Sequence, residues 1–66
     1  MPVITIAMHP VSSEEKKALI SALTRSAAQV TRIPEASFIV LVDELSEDAI
    51  GIGGRTLRAV MAAHPA

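Results

Sequence analysis

Residues 12–30 decide the fold: Ser12-Ser-Glu-Glu-Lys-Lys-Ala-Leu-Ile-Ser-Ala-Leu-Thr-Arg-Ser-Ala-Ala-Gln-Val30. Ser12, followed three residues later by Glu15, has the form of a capping box. The serine hydroxyl accepts from the Glu15 amide, and the carboxylate reaches back to the amide of Ser12. Glu14 and Glu15 also put negative charge at the positive end of the helix dipole. Leu19, Ala22, Leu23, Ala27 and Val30 then recur at helical spacing as one apolar stripe, with Lys16, Lys17, Ser21, Arg25 and Gln29 largely off it. The spacing predicts a helix from this cap to about Val30. Thr31-Arg32-Ile33-Pro34 closes it, since the residue before a proline is pushed out of helical geometry.

Outward from the helix the pattern changes on both sides. Val3 to Met8 reads Val-Ile-Thr-Ile-Ala-Met, and Phe38 to Val42 reads Phe-Ile-Val-Leu-Val before trailing into Asp43-Glu44. Continuous apolar, β-branched runs of this kind suit strands buried on both faces. His9-Pro10 ends the first, because proline cannot donate to a ladder. Two apolar strands joined through one amphipathic helix predict an α/β fold: a single β-α-β unit with a right-handed crossover and parallel strands. Ser46-Glu47-Asp48 is a turn segment, and the glycines of Ile50-Gly51-Ile52-Gly53-Gly54 fit a tight hairpin or bulge with positive φ. Thr56 to Ala63 reads as a short closing helix, and His64-Pro65-Ala66 as a frayed end. Residues 1–66 form one domain, with no internal repeat or linker.

A chain of 66 residues buries too little apolar surface to be comfortable alone. Small proteins escape this with disulfides, a metal or partner subunits. There is no cysteine, and the two histidines, His9 and His64, lie far apart and make no ligand cluster. Association is the remaining route. Half of the residues are hydrophobic, more aliphatic side chain than so few elements can hide within one subunit. No apolar stretch approaches a membrane span. Met1-Pro2-Val3-Ile4 lacks the basic region and cleavage site of a signal peptide, so the expected class is a cytoplasmic homo-oligomer. A net charge of −1 with scattered basic residues gives no footprint for nucleic acid.

The glycine block is not a phosphate loop. It follows the β-α-β unit instead of opening its helix, and it lacks the lysine and hydroxyl residue that such a loop needs. Pro2 carries the more specific chemistry. Initiator methionine is normally removed when the next residue is small, and removal here leaves a secondary amine at the head of a buried strand. An ordinary α-amino group titrates near ~7.7–8, and burial disfavours its cation. Such an amine is a free base at neutral pH, with its lone pair directed by the ring. With Met1 attached, the same nitrogen is a tertiary amide without useful basicity. Taken alone, a proline at position 2 also reads as a residue that merely starts an edge strand.

The whole pattern resembles the 4-oxalocrotonate tautomerase family. The resemblance is carried by Pro2-Val-Ile-Thr-Ile, by Ser12-Ser-Glu-Glu-Lys-Lys-Ala-Leu-Ile and by Ile33-Pro-Glu-Ala-Ser-Phe-Ile-Val-Leu-Val-Asp-Glu44. Ile50-Gly-Ile-Gly-Gly-Arg55 completes it, so that it covers roughly Pro2 to Val60. It implies a β-α-β protomer, a homohexamer built from dimers, and a terminal proline that moves a proton within an enol or dienol acid. Pro2 is then the catalytic base, the substrate a small carboxylic acid, and no metal or organic cofactor is needed. The family's best-studied members carry arginines that bind substrate carboxylates where Ser12 and Ile39 stand here, and an aromatic residue where Ile50 stands. Ile39 and Ile50 are therefore pocket positions without the usual chemistry, which puts a dicarboxylate substrate in doubt.

Arg55 is the expected replacement cation, reaching a neighbouring subunit's pocket; its simpler reading is a solvated surface residue. Arg58 and Arg32 carry the same two readings. His9 reads as a strand-end residue before a catalytic acid, and Ser37 and Thr5 as sheet-edge and sheet residues. A second functional reading stays open: an inactive oligomer of this fold with a binding or structural role.

Overall fold

The computed structural model describes residues 1–63, so the expected frayed end, His64–Ala66, lies outside the described residues. Strand β1 (Val3–Met8) leads to helix α1 (Ser13–Thr31), a single 3-10 turn (Glu35–Ser37) and strand β2 (Ile39–Glu44). A hairpin of β3 (Gly51–Ile52) and β4 (Arg55–Thr56) then precedes helix α2 (Leu57–Ala63).

The capping box forms as the sequence requires. The Glu15 amide donates to Ser12 Oγ at 3.1 Å, and the Ser12 amide donates to Glu15 Oε1 at 3.4 Å. At the other end Arg32 takes the left-handed conformation, φ 64°, and its amide donates to the Ala28 carbonyl at 2.8 Å. That geometry satisfies one of the last orphan carbonyls of the helix and turns the chain toward Pro34.

β1 and β2 pair in parallel, from Val3 opposite Ile39 to Met8 opposite Glu44. The ladder extends one bond beyond each end: Ile39 donates to the Pro2 carbonyl at 3.0 Å, and Leu45 to the Met8 carbonyl at 2.8 Å. Phe38 lies just before β2, not within it.

The expectation that both strand faces are buried needs correction within one subunit. Ile4, Ile6, Met8, Val40 and Val42 are half-buried on the face toward α1, while their neighbours Val3, Thr5, Ala7, Ile39 and Leu41 are exposed. Side chains alternate across a strand, so one helix can cover only one face. Val3 is 53% exposed and Leu41 51%. The helix stripe is corrected too. Leu19, Leu23 and Ala27 are half-buried, but Ala22 is exposed and Val30 is 83% exposed. Both lie on the flank of the helix that β2 does not reach.

Beyond β2 the chain forms an arm. Gly53 and Gly54 occupy the two turn positions of the hairpin with φ 60° and 85°, a turn open mainly to glycine. Thr56 pairs within β4 instead of starting α2; its hydroxyl accepts from the Ala59 amide at 3.1 Å and caps that helix. β3, β4 and α2 pack on one another and on no other strand or helix among the described residues. The radius of gyration is 14.9 Å, against about 11 Å for a compact chain of this length. The subunit exposes 4932 Å², some 900 Å² more than the ~4,000 Å² of a compact monomer of its mass. No side chain is fully buried among the described residues.

One clamp joins the helix start to the strand end. Glu44 Oε1 accepts from Lys16 Nζ at 2.6 Å, and Oε2 accepts from the Val11 amide at 3.1 Å. The lysine hydrogen bond first, and the amide second, hold the Glu44 carboxyl below its ordinary value. A carboxylate depressed in the folded state stabilises the fold at pH above its unfolded value. That stabilisation is lost as pH falls through the depressed folded value. Denaturant unfolding should therefore show wild type more stable than Glu44→Gln at about pH 7, with the gap closing well below the usual glutamate value near 4.3. A gap equally large in acid would contradict the clamp.

Candidate active site

The parallel ladder fixes where Pro2 sits. Its carbonyl is held by the Ile39 amide, so the pyrrolidine ring lies at the mouth of the sheet, beside the start of β2. The 3-10 turn closes the same corner: the Ser37 amide donates to the Pro34 carbonyl at 3.0 Å and the Phe38 amide to the Glu35 carbonyl at 3.1 Å. The result is an open cleft of about 390 Å³ lined by Met1, Pro2, Ile33, Ala36, Ser37 and Ile39. Apart from the hydroxyl of Ser37, these side chains are apolar. Ile33 supplies one wall because the left-handed Arg32 turns the chain back from α1 toward the strand.

The structure brings Pro2 and Ile39 together and leaves Ile50 and Arg55 elsewhere. Ile50 is half-buried at the base of the arm, where its carbonyl accepts from the Leu57 amide at 2.8 Å. Arg55 is exposed on β4, and no ion pair engages it among the described residues. The remaining basic and hydroxyl candidates have structural work. Arg32 caps α1, and Arg58 Nε lies 3.2 Å from Asp48 Oδ1 and 3.9 Å from Glu47 Oε1. Ser12 serves the capping box. His9 Nδ1 lies 3.1 Å from the Pro10 carbonyl oxygen, the local satisfaction expected of a strand-end histidine. Among the described residues there is no cluster of side chains able to hold a metal. No helix among them is long and apolar enough to cross a membrane.

A larger concavity, about 450 Å³, runs along the outer side of α1 between Glu14, Lys17, Ala18 and Ser21. It is a groove between exposed helix side chains and carries no strand end, turn or unusual group. The Pro2 cleft instead combines a strand end, a 3-10 turn and the chain's N-terminal proline.

A family model described as tautomerase enzyme matches residues 2–59, beginning at Pro2 itself. The chain belongs to the tautomerase family. A probable tautomerase of Bacillus cereus is 34% identical over 58 residues, which cover 86% of this chain and 95% of the relative. Among solved structures, an apo unfused 4-OT superposes with a TM-score of 0.86 at 37% identity, covering 89% of this chain and 98% of that one. TomN, a 4-oxalocrotonate tautomerase homologue in the tomaymycin biosynthetic pathway, gives 0.86 at 30% identity over 98% of this chain and 100% of its own. The β-α-β unit with its hairpin and closing helix is thus the tautomerase fold.

The 3-10 turn at the Pro2 corner and the Glu44 clamp at the opposite end of the ladder have only weak signals in the sequence. Ser37 lies in a 3-10 turn and not at a sheet edge; Pro34-Glu-Ala-Ser37, with proline ahead of a short run, is the available signal. Glu44 reads from the sequence only as the tail of a strand. Its bond to Lys16 spans 28 positions and no local spacing announces it.

Proposed function

We propose that this tautomerase is a cofactor-independent isomerase that moves a proton within an enol or unsaturated 2-oxo acid, with the Pro2 amine as general base. The observation that carries the reading is the position of Pro2. It heads the parallel ladder, in a cleft walled by Ile33, Ala36 and Ile39. Once Met1 is removed, its nitrogen is a secondary amine in apolar surroundings. The lone pair takes a proton from the substrate hydroxyl or carbon, and the resulting ammonium returns it at the other end of the conjugated system. The chain's part is to keep that amine neutral before the step and to aim it.

The subunit is half of the machine. The open sheet face and the unpacked arm support a homo-oligomer, and the hexamer is the assembly we propose. The excess exposure of about 900 Å² is close to the roughly 800 Å² that each partner contributes to a standard interface. To Arg55, at the turn of the arm and free of ion pairs among the described residues, we assign the role of holding the substrate carboxylate in a neighbouring copy's cleft. Ile50 at the base of that arm is the matching apolar wall.

Met1 is 88% exposed and open to removal. The intact mass of the protein purified from its own source tests the reading. We expect a mass short of one methionine. A protein that keeps Met1 throughout has its base acylated, and the inactive oligomer becomes the better account.

A further inference from the structure

We propose that Ser37 is a substrate-binding residue of the Pro2 cleft: its hydroxyl donates to the substrate's enol oxygen, and the cleft takes a 2-oxo monoacid with an apolar tail. The inference rests on the isomerase reading and deepens it.

Ser37 is the only lining residue of the cleft with a polar side chain. Its backbone is fixed by the 3-10 turn, through the bond from its amide to Pro34, and its side chain is half-buried. Several other hydroxyls serve the chain itself. Ser12 caps α1, Ser21 accepts from Arg25, Thr31 donates to Ala27, and Thr56 caps α2. Among the described residues no such bond engages the Ser37 hydroxyl. A hydroxyl fixed by its backbone, uncommitted, and opening on the same cleft as the base is a donor waiting for a ligand oxygen.

The chemistry needs one. When the Pro2 nitrogen takes a proton from C3 of a 2-oxo acid, the C3–H electron pair becomes the C2–C3 double bond. The carbonyl electron pair moves onto oxygen, where negative charge develops. A donor aimed at that oxygen lowers the barrier because it acts most strongly on the charged form. Ser37 is neutral, and the cleft that the subunit builds holds no cation. Arg55 of a neighbouring copy brings one charge, enough for one carboxylate. A second carboxylate on the substrate would face Ile33, Ala36 and Ile39 without a partner, which is costly in apolar surroundings.

The test is deuterium uptake at C3 of 2-oxohexanoate and of 2-oxohexanedioate in heavy water, followed by NMR with processed protein. We expect the monoacid to exchange faster, by kcat/KM, than the diacid. We expect Ser37→Ala to lower kcat for the monoacid about 100-fold with KM changed little, as when one oxyanion donor is lost. Ser37→Thr, which keeps the hydroxyl, should recover most of the rate. Ser37→Ala exchanging like wild type, or Ser37→Thr as slow as Ser37→Ala, overturns the serine's role while leaving Pro2 as the base. A diacid preferred over the monoacid overturns the specificity. No exchange above buffer by folded wild type sinks the isomerase reading and this inference with it.

Discussion

Protein that retains Met1 should catalyse C3 exchange of a 2-oxo acid about 1,000-fold more slowly than the processed chain, while its oligomeric state and melting temperature stay close to those of the processed chain. The size follows from what a positioned general base contributes, roughly 10²–10⁴ in rate. Met1 lines the cleft yet is 88% exposed, so its removal costs little packing. What changes is the Pro2 nitrogen, which passes from secondary amine to tertiary amide and loses its available lone pair. The comparison is best made with two synthetic chains that differ only in Met1. Equal rates would place the base elsewhere.

Leu41→Glu should abolish the oligomer and, with it, the folded subunit at micromolar concentration. Leu41 is 51% exposed in the single chain, on the sheet face away from α1, beside Val3 and Ile39. If that face meets another copy, each substituted subunit buries an unpaired carboxylate, at a cost of about 3–5 kcal/mol. The subunit has little reserve to offset this, since no side chain is fully buried among the described residues. Sedimentation with circular dichroism reads both effects together. An oligomer as stable as wild type would show that the sheet face stays in water and that the assembly uses another surface; a folded monomer would keep the sheet face as the interface and overturn the claim that the lone subunit cannot fold.

The fold was legible because its signals are local. The Ser12–Glu15 capping box, the helical recurrence of Leu19, Leu23 and Ala27 and the glycine pair at positions 53 and 54 all report geometry within a few residues. Each appears in the structure as read. The errors came where a side chain's surroundings depend on a distant element. Val30 keeps the helical spacing but lies beyond the reach of β2, and apolar spacing cannot tell a covered flank from a bare one. The strands were read as buried on both faces, and one subunit covers only one. The aliphatic excess in the composition already pointed to partners.

The site divides in the same way. Pro2 stood out by its position in the chain, and Ile39 through the family resemblance; the parallel register sets both beside one cleft. Ser37 did not stand out, because its role depends on a 3-10 turn folding back against the first strand. Arg55 and Ile50 stand on or beside the hairpin arm, whose elements pack on none of α1, β1 and β2 among the described residues.

The most direct measurement is deuterium incorporation at C3 of 2-oxohexanoate by the processed, oligomeric protein in heavy water. The account predicts exchange well above the buffer rate, reduced to near that rate when the Pro2 nitrogen is acylated. Exchange at the buffer rate by a folded, processed oligomer would contradict it and leave a tautomerase fold that does not use its proline.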